Sequence, residues 1–304
     1  MADLVKPRAL RKNGTIGIAA ISGPVEESRL ETGLAKVRAK GYRVVEAPNL
    51  RRRAGFLAGT DEERVAGYRE LLRDRSVDAI IFARGGYGAT RVVPRLEAGE
   101  VRANPKIHLG GSDLTALFAW LLQSEGLVAF YGPMVAVEMA EQDGLDWEAV
   151  LSGEIPAPHR FSPREVLSPG TAQGPLVGGC LSLLASLAGT PEAVAADGAI
   201  LFWEDIGEAT YRLDRMLTQL ERAGTFDKLL GMVIGSVVPM AGEAPEASLG
   251  WLAERFREAP FPVAVNLPAG HLPRPRTLAL GTRARLCLEG SPAFEFLEPA
   301  VERT

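Results

Sequence analysis

Residues 106–118 read KIHLGGSDLTALF, a short apolar run followed by two glycines, one serine and an amphipathic run. The pattern predicts a strand that turns sharply into a helix, with Ser112 at the corner beside free backbone N–H groups. The glycines before it permit backbone angles that a β-carbon forbids, and they leave room for a substrate near the hydroxyl. The corner has the form of a nucleophile elbow, although Leu114 replaces the last glycine of the G-x-S-x-G pattern. A serine that caps the following helix is the alternative.

The composition is that of a soluble globular protein long enough for two domains, with 304 residues, 46% hydrophobic and 24% charged. The net charge of −4 makes nucleic acid and anionic membrane poor default partners, and the basic run at 51–53 fits a solvated loop. Cys180 and Cys287 lack the spacing of a metal site, so we expect no metal and no other cofactor. Residues 1–14 lack the apolar core of a signal peptide, and no stretch approaches 18 apolar residues. We therefore expect a cytoplasmic protein.

The first half of the chain alternates between predicted strands and helices, which favours a doubly wound parallel sheet of the flavodoxin/Rossmann-like type. The predicted strands lie at 15–20, 43–47, 77–83, 107–109 and 127–131, and the helices at 26–40, 60–73 and 114–123. The loops after four strands, at 22–24, 84–88, 112–113 and 132–133, should lie along one edge of the sheet, where such folds bind ligands. The glycine-rich loop at 84–88 matches neither the dinucleotide-binding nor the P-loop pattern.

The second half predicts a smaller α/β domain with a mixed sheet. Prolines crowd residues 146–174, which predicts a linker between an N-terminal domain of residues 1–145 and a C-terminal domain of residues 175–304. The C-terminal elements predicted are a helix that opens at 178, strands at 199–203, 232–238 and 261–265, helices at 209–222 and 247–256, and three short strands of a small mixed sheet at 277–280, 284–288 and 293–297.

Acyl transfer by a serine needs a base, and three histidines are available. His108 belongs to the strand before the elbow and should pack within the sheet, while His159 lies in the Pro-rich segment. His271 follows a glycine in a loop, from which its ring could project into a cleft. A carboxylate at a strand end should orient the imidazole; Glu204 fits this role and Asp205 is its close rival.

These residues also carry a family resemblance. The chain resembles the LD-carboxypeptidase family, the serine peptidase family S66, which also includes the microcin C immunity peptidases. The resemblance covers nearly the whole chain and rests on blocks in family order: Arg84-Gly85-Gly86-Tyr87-Gly88, Gly111-Ser112-Asp113 with Thr115-Ala116-Leu117, Gly132-Pro133-Met134, Trp203-Glu204-Asp205 with Tyr211-Arg212-Asp214-Arg215, and Gly270-His271 with Leu280-Gly281. It implies Ser112 as nucleophile, His271 as general base and Glu204 as the residue that orients it.

The resemblance also implies an oxyanion hole formed by the N–H groups of Gly86 and Asp113. The implied activity is a carboxypeptidase that removes terminal D-alanine from a murein tetrapeptide in cell-wall recycling, in a cleft between the domains. Tyr131 departs from the family, in which many members have histidine there. We also expect a homodimer. The alternatives are a microcin C-type amidase that cleaves aminoacyl-nucleotide conjugates and, from another class, a non-catalytic small-molecule binding module.

An exopeptidase must distinguish a terminal carboxylate from an internal peptide bond. An arginine binds a carboxylate through two parallel charge-assisted hydrogen bonds, which suits this task. Arg84 is the candidate because its loop is predicted to lie beside Ser112, and Arg212 is the alternative. Tyr87, in the same loop, is a further substrate-binding candidate. The alternative is that Arg84 has only a structural role and forms an ion pair with a nearby acid.

Overall fold

The computed structural model describes residues 4–242 and 245–302, and the strands in that part of the chain form two sheets. In chain order the strands are β1 (Thr15–Ala19), β2 (Arg43–Glu46), β3 (Ala79–Phe82), β4 (Ile107–Gly110), β5 (Ala129–Tyr131), β6 (His159–Arg160), β7 (Val166–Ser168), β8 (Thr171–Cys180), β9 (Ile200–Glu208), β10 (Gly231–Pro239), β11 (Val263–Ala264), β12 (Leu278–Leu280), β13 (Arg283–Cys287) and β14 (Ala293–Phe296). The helices are α1 (Glu27–Ala39), α2 (Asp61–Arg73), α3 (Ala89–Val92), α4 (Thr115–Trp120), α5 (Glu138–Glu141), α6 (Trp147–Leu151), α7 (Leu181–Leu187), α8 (Thr210–Arg222) and α9 (Pro245–Phe256).

The first sheet has the order β2-β1-β3-β4-β5, and all neighbouring pairs of these five strands are parallel. This is the flavodoxin-like order of a doubly wound sheet, so the predicted fold class is confirmed. Strands β1, β3, β4 and β5 are buried along their whole length, which explains why their sequences are apolar without alternation. Thr60 and Glu63 have the Thr-x-x-Glu spacing that predicts a capping box and hence a helix start, and the box is present at the start of α2.

Strand β12 extends this first sheet, antiparallel to β5, with Leu278 opposite Tyr131. We predicted residues 277–280 as part of the small mixed sheet of the C-terminal domain, and that prediction was wrong. A short apolar run carries no information about its pairing partner. Here it covers the edge of β5, which would otherwise leave unpaired backbone groups exposed.

The second sheet is mixed, as predicted, with the order β6-β14-β13-β8-β9-β10-β11-β7. Within the described residues it has eight strands against six in the first sheet, so the expectation of a small sheet was wrong. The helix predicted to open at Gly178 begins only at Leu181, because β8 continues to Cys180. Added β-carbons would lie 1.8 Å from the Phe202 carbonyl oxygen at Gly178 and 2.4 Å from Thr115 Oγ1 at Gly179. The two glycines at the predicted helix start therefore allow close packing inside the sheet instead.

The segment predicted as a linker, residues 146–174, contains secondary structure. It includes α6, a 3₁₀ turn at Pro163–Glu165 and the start of β8. Its strands β6 and β7 form the two opposite edges of the second sheet. The domain boundaries themselves stay a prediction.

The two sheets are joined where α4, which follows Ser112, packs against β8 and α7. Thr115 of α4 accepts a hydrogen bond from the Cys180 backbone N–H at 2.9 Å. Cys180 in turn lies opposite Glu204 on β9. The elbow of the first sheet is thereby held next to the strand that carries the predicted carboxylate. No helix in the described part of the chain combines the length and the apolar character needed to cross a membrane.

Candidate active site

Ser112 follows β4 and is the first residue of the 3₁₀ helix Ser112–Leu114, which leads into α4. Its φ of 58° falls in the left-handed region, which residues with side chains rarely adopt, so the turn holds the serine in a strained backbone. A β-carbon on Gly85 of the neighbouring loop would lie 2.8 Å from Ser112 Cβ and 3.1 Å from its Oγ, so only glycine permits this approach. Neither the 3₁₀ helix nor α4 has a side-chain cap. The helix-capping alternative for Ser112 is therefore not supported.

His271 and Glu204 form a hydrogen-bonded pair. Glu204 Oε2 is 2.7 Å from His271 Nδ1 and also accepts the His271 backbone N–H at 3.0 Å. Glu204 is fully buried, whereas the His271 side chain is 21% exposed. Gly270 has a φ of 102°, and a β-carbon there would lie 2.4 Å from Glu204 Oε2. A glycine before the histidine therefore lets the loop after β11 reach the carboxylate. Because Nδ1 is bonded to Glu204, Nε2 is the ring nitrogen left for proton transfer.

Tyr131 connects this pair to the elbow. Its hydroxyl donates to Glu204 Oε1 at 2.6 Å and accepts the Ser112 backbone N–H at 2.8 Å. The ring is 2% exposed, and Leu278 of β12 pairs with its backbone. In the sequence Tyr131 stood out only as a departure from the family, and its two contacts were not predicted. Its position at the end of β5, next to the elbow strand β4, was the available signal.

The nearby carboxylates raise the pKa of His271. Burial of His271 disfavours the imidazolium, but the hydrogen bond to Glu204 and the charges of Glu204 and Asp205 outweigh it and hold the pKa of His271 above its usual 6.5. Asp205, the rival to Glu204, is directed elsewhere. Its carboxylate accepts the backbone N–H groups of Ser182 at 2.7 Å and Ile206 at 2.8 Å. Of the two neighbouring acids, Glu204 is the one bonded to the imidazole.

The other two histidines do not reach this site. His108 lies within β4 and is fully buried, as predicted, with Nε2 2.9 Å from the hydroxyl of Tyr68. Burial lowers the pKa of His108 to about 3, so its ring stays neutral. His159 lies in β6 at an edge of the second sheet, and its ring packs edge-on against Phe161. His271 is thus the histidine that the fold places beside Ser112.

The loops after β1, β3 and β4 meet at one edge of the first sheet, as the alternation of elements predicts. The buried carboxylate of Asp113 ties them together, since its Oδ2 accepts the Ser22 hydroxyl at 2.6 Å and the Ala89 backbone N–H at 2.8 Å. Gly86 has a φ of 114°. Among the described residues, neither the Gly86 N–H nor the Asp113 N–H donates to an acceptor. Both N–H groups are therefore available to bind an anion. The hydrogen bond from Ser22 to Asp113, which helps to hold these loops together, was not predicted.

Arg84 also lies at this edge, but its guanidinium is partly engaged. Nη1 donates to the Pro24 carbonyl at 3.1 Å and Nε donates to the Gly85 carbonyl at 3.2 Å. No carboxylate of the described residues forms an ion pair with it. The structural explanation, in which Arg84 pairs with a nearby acid, is therefore not supported by these residues.

The other two substrate-binding candidates are on the surface. Tyr87 is 49% exposed, and its ring packs against that of Phe56, which is 65% exposed, in a tilted arrangement with the ring centroids 5.8 Å apart. Arg212 on α8 has a side chain that is 56% exposed and forms an ion pair with Glu208 at 3.3 Å. Neither residue lines the cleft that contains Ser112, so their roles stay predictions.

The cleft is lined by Ser112, Tyr131, Met134, Glu138 and His271, among other residues. No hydrogen bond joins the Ser112 hydroxyl to His271 in the described part of the chain. Such bonds are often long in free enzymes and shorten when substrate binds. Glu138, an acid at the wall of this cleft, was not predicted as a site residue.

A doubly wound sheet with a serine elbow, next to a partly exposed histidine that is bonded to a buried glutamate, is the arrangement of a serine-type hydrolase. The chain belongs to the LD-carboxypeptidase family: residues 16–132 match the LD-carboxypeptidase N-terminal domain and residues 173–286 match the LD-carboxypeptidase C-terminal domain. The protein is accordingly a peptidase of the serine type, and the resemblance seen in the sequence is confirmed.

Full-length relatives support this membership. The chain is 33% identical over 290 residues to a probable murein peptide carboxypeptidase of Bacillus subtilis, covering 92% of this chain and 91% of the relative. The crystal structure of a muramoyltetrapeptide carboxypeptidase from Oxalobacter formigenes superimposes with a TM-score of 0.81 at 30% identity, covering 93% and 97% of the two chains. The microcin C7 self-immunity protein MccF shares the fold, with a TM-score of 0.87 at 22% identity, covering 98% of this chain and 100% of the other.

Proposed function

We propose that this protein is a serine carboxypeptidase that removes the terminal D-alanine from murein tetrapeptide in cell-wall recycling. The observation that carries the proposal is the bonding of His271 to the buried Glu204, at 2.7 Å, in the cleft that also contains Ser112. A strained serine corner and an oriented imidazole in one cleft are the parts that acyl transfer needs. The names of the relatives from Bacillus subtilis and Oxalobacter formigenes support the choice of substrate.

In the proposed reaction, Ser112 Oγ attacks the carbonyl carbon before D-alanine while His271 Nε2 takes the hydroxyl proton. The tetrahedral intermediate collapses when His271 returns this proton to the leaving nitrogen, and D-alanine departs. A water molecule then attacks the acyl-enzyme, again with His271 as base, and releases the shortened peptide. Glu204 holds the Nδ1–H tautomer and stabilises the imidazolium that forms in each step. Tyr131 donates a hydrogen bond to the other carboxylate oxygen of Glu204, Oε1, and so helps to hold the carboxylate in place.

The negative charge that develops on the carbonyl oxygen needs donors that are fixed before the reaction. We assign this role to the backbone N–H groups of Gly86 and Asp113. Gly85 brings the glycine-rich loop within van der Waals distance of Ser112, and the Asp113 side chain braces the same loop through Ala89. Removal of a single oxyanion donor costs about 10²- to 10³-fold in kcat in other serine hydrolases.

The terminal carboxylate of the substrate needs a cation, and Arg84 is proposed for it. The carbonyls of Pro24 and Gly85 fix the guanidinium beside the glycine-rich loop, which reduces the entropy lost on binding. Nη2 has no partner among the described residues and can donate to a carboxylate. Tyr87 and Arg212 stay candidates for contacts with more distant parts of the substrate.

The proposed setting is the cytoplasm and the proposed assembly is a homodimer of two-domain subunits. Light scattering coupled to size-exclusion chromatography would give the mass in solution, and a monomer would refute the dimer without affecting the proposed chemistry.

Mass spectrometry of the reaction products tests the function. The purified protein is incubated with murein tetrapeptide or with an aminoacyl-sulfamoyl adenosine, and Ser112→Ala is the matched control. We expect a tripeptide and free D-alanine from the first substrate with the wild type only. Cleavage of the adenosine conjugate alone would favour the microcin C-type alternative. Binding without cleavage of either compound would favour the non-catalytic binding module.

A further inference from the structure

Glu138, at the start of α5, is an acidic side chain in the wall of the cleft that contains Ser112 and His271. The residue is 8% exposed, and its Oε2 accepts the Met134 backbone N–H at 2.9 Å. No lysine or arginine of the described residues lies within ion-pair distance of it. The carboxylate thus lines the cleft with one hydrogen bond from another residue and a contact with its own backbone N–H, and no lysine or arginine of the described residues neutralises its charge.

Other buried carboxylates of this protein are better compensated. Asp61 forms ion pairs with the guanidinium groups of Arg64 and Arg91, at 2.9 Å for the latter. Glu125 is fully buried and accepts backbone N–H groups on both oxygens, at 2.7 and 2.8 Å. An ionised carboxylate removed from water without such partners is costly, so a buried acid that lines a cleft is poised to bind a cation.

The imidazole of His271 does not supply that cation during catalysis. It acts as a base in its neutral form, and its imidazolium charge is balanced by Glu204 when it forms. Burial raises the pKa of the Glu138 carboxyl, while the Met134 N–H and the charge of His271 oppose this rise. A cationic ligand next to Glu138 would lower the same pKa and stabilise the ionised form.

We propose that Glu138 binds a primary ammonium group on the acyl side of the substrate, which makes the enzyme selective for substrates that carry a free amine there. The inference rests on the proposed function. The acyl side is assigned by charge, because Glu138 would repel the terminal carboxylate that Arg84 is proposed to bind. A side-chain amine in the third residue of the tetrapeptide and the α-amine of an aminoacyl conjugate offer the same chemistry.

Two pairs of ligands distinguish the side-chain amine of the tetrapeptide from the α-amine of the aminoacyl conjugate. The first pair is a tetrapeptide ending in D-alanine with a free or an acetylated side-chain amine at the third residue. The second pair is an aminoacyl-sulfamoyl adenosine with a free or an acetylated α-amine. For each pair, the ratio of kcat/KM for the free amine to that for the acetylated compound is measured. Both members of a pair meet the same His271, so any change in its pKa cancels in the ratio.

The variant is Glu138→Gln, in which the amide oxygen can still accept the Met134 N–H. The matched control is Glu125→Gln, a buried glutamate that also accepts backbone N–H groups but does not line the cleft. We expect the wild type and the control to prefer the free amine of one pair by about 10- to 100-fold, the range of a charge-assisted hydrogen bond. Glu138→Gln should bring this ratio close to one.

Calorimetry of the same ligands with Ser112→Ala and with Ser112→Ala/Glu138→Gln separates binding from catalysis. If the single variant prefers the free amine and the double variant does not, Glu138 binds the ammonium group, whether or not the wild type cleaves the compound. A binding preference without any cleavage would refute the proposed peptidase function alone. Equal ratios in wild type and Glu138→Gln, or no preference in either pair, would overturn the role of Glu138.

Discussion

The hydroxyl of Tyr131 is the most informative single group to remove, because it joins the serine corner to the residue that orients the histidine. Tyr131→Phe keeps the buried ring and deletes two hydrogen bonds, at 2.6 Å to Glu204 and at 2.8 Å from the Ser112 N–H. A hydrogen bond to a charged group contributes about 1.5–3 kcal/mol. The Ser112 N–H, left without an acceptor, adds a cost of about 1–3 kcal/mol if water does not replace it.

The expected result is a lower free energy of unfolding, by roughly 2.5–6 kcal/mol when both terms apply, and a fall in kcat. A displacement of catalytic groups by about 1 Å costs up to about 100-fold in rate, so we expect kcat to fall by about 10- to 100-fold with little change in KM. The assays are urea denaturation and steady-state release of D-alanine.

Tyr68→Phe is the matched control for this experiment. Tyr68 is also a fully buried tyrosine in the first sheet domain, and its hydroxyl is bonded to the imidazole of His108 at 2.9 Å, away from the cleft. It should lose less stability, about 1–3 kcal/mol, because only one hydrogen bond to a neutral imidazole is deleted, and it should keep kcat near the wild-type value. If Tyr131→Phe also keeps kcat within twofold of the wild type, the hydroxyl stabilises the fold without positioning Glu204 and Ser112, and the reasoning is refuted.

Four further predictions concern the proposed nucleophile, the acid that orients His271, metal dependence and recognition of the substrate carboxylate. Ser112→Ala should retain the fold, as judged by circular dichroism, and lose turnover by about 10⁶-fold, the loss seen for other serine nucleophiles; appreciable turnover would end the assignment. Glu204→Gln should lower the pKa of His271, so the acidic limb of the kcat/KM profile should move to lower pH as overall activity falls, whereas Asp205→Asn, which removes a charge but no hydrogen bond to the imidazole, should move the limb less; the reverse order would make Asp205 the orienting acid. Activity should survive exhaustive dialysis against EDTA, and a loss restored by zinc would overturn the mechanism. Arg84→Lys should impair cleavage of a free-acid substrate far more than cleavage of its C-terminal amide, because lysine keeps the charge but loses the fork; equal losses would exclude recognition of the carboxylate.

The sequence by itself determined the features that depend on near neighbours in the chain. Apolar runs alternating with amphipathic runs predicted the parallel first sheet, and the capping box at Thr60 marked the start of α2. The two glycines before Ser112 predicted a corner, which the backbone of Ser112 adopts. These predictions succeed because local periodicity and backbone freedom act over a few residues.

Tertiary structure alone decided which distant groups meet. The pairing of β12 with β5, and the continuation of β8 through Gly178 and Gly179, depend on contacts made across the fold. Glu204 and Asp205 are adjacent in sequence, yet alternate residues of a strand point to opposite sides, and only the fold shows which side faces His271. Tyr131 and Glu138 gave no catalytic motif, because their roles come from burial beside residues that are far away in the chain. Side-chain direction and burial are three-dimensional properties, and so the composition of the cleft had to come from the structure.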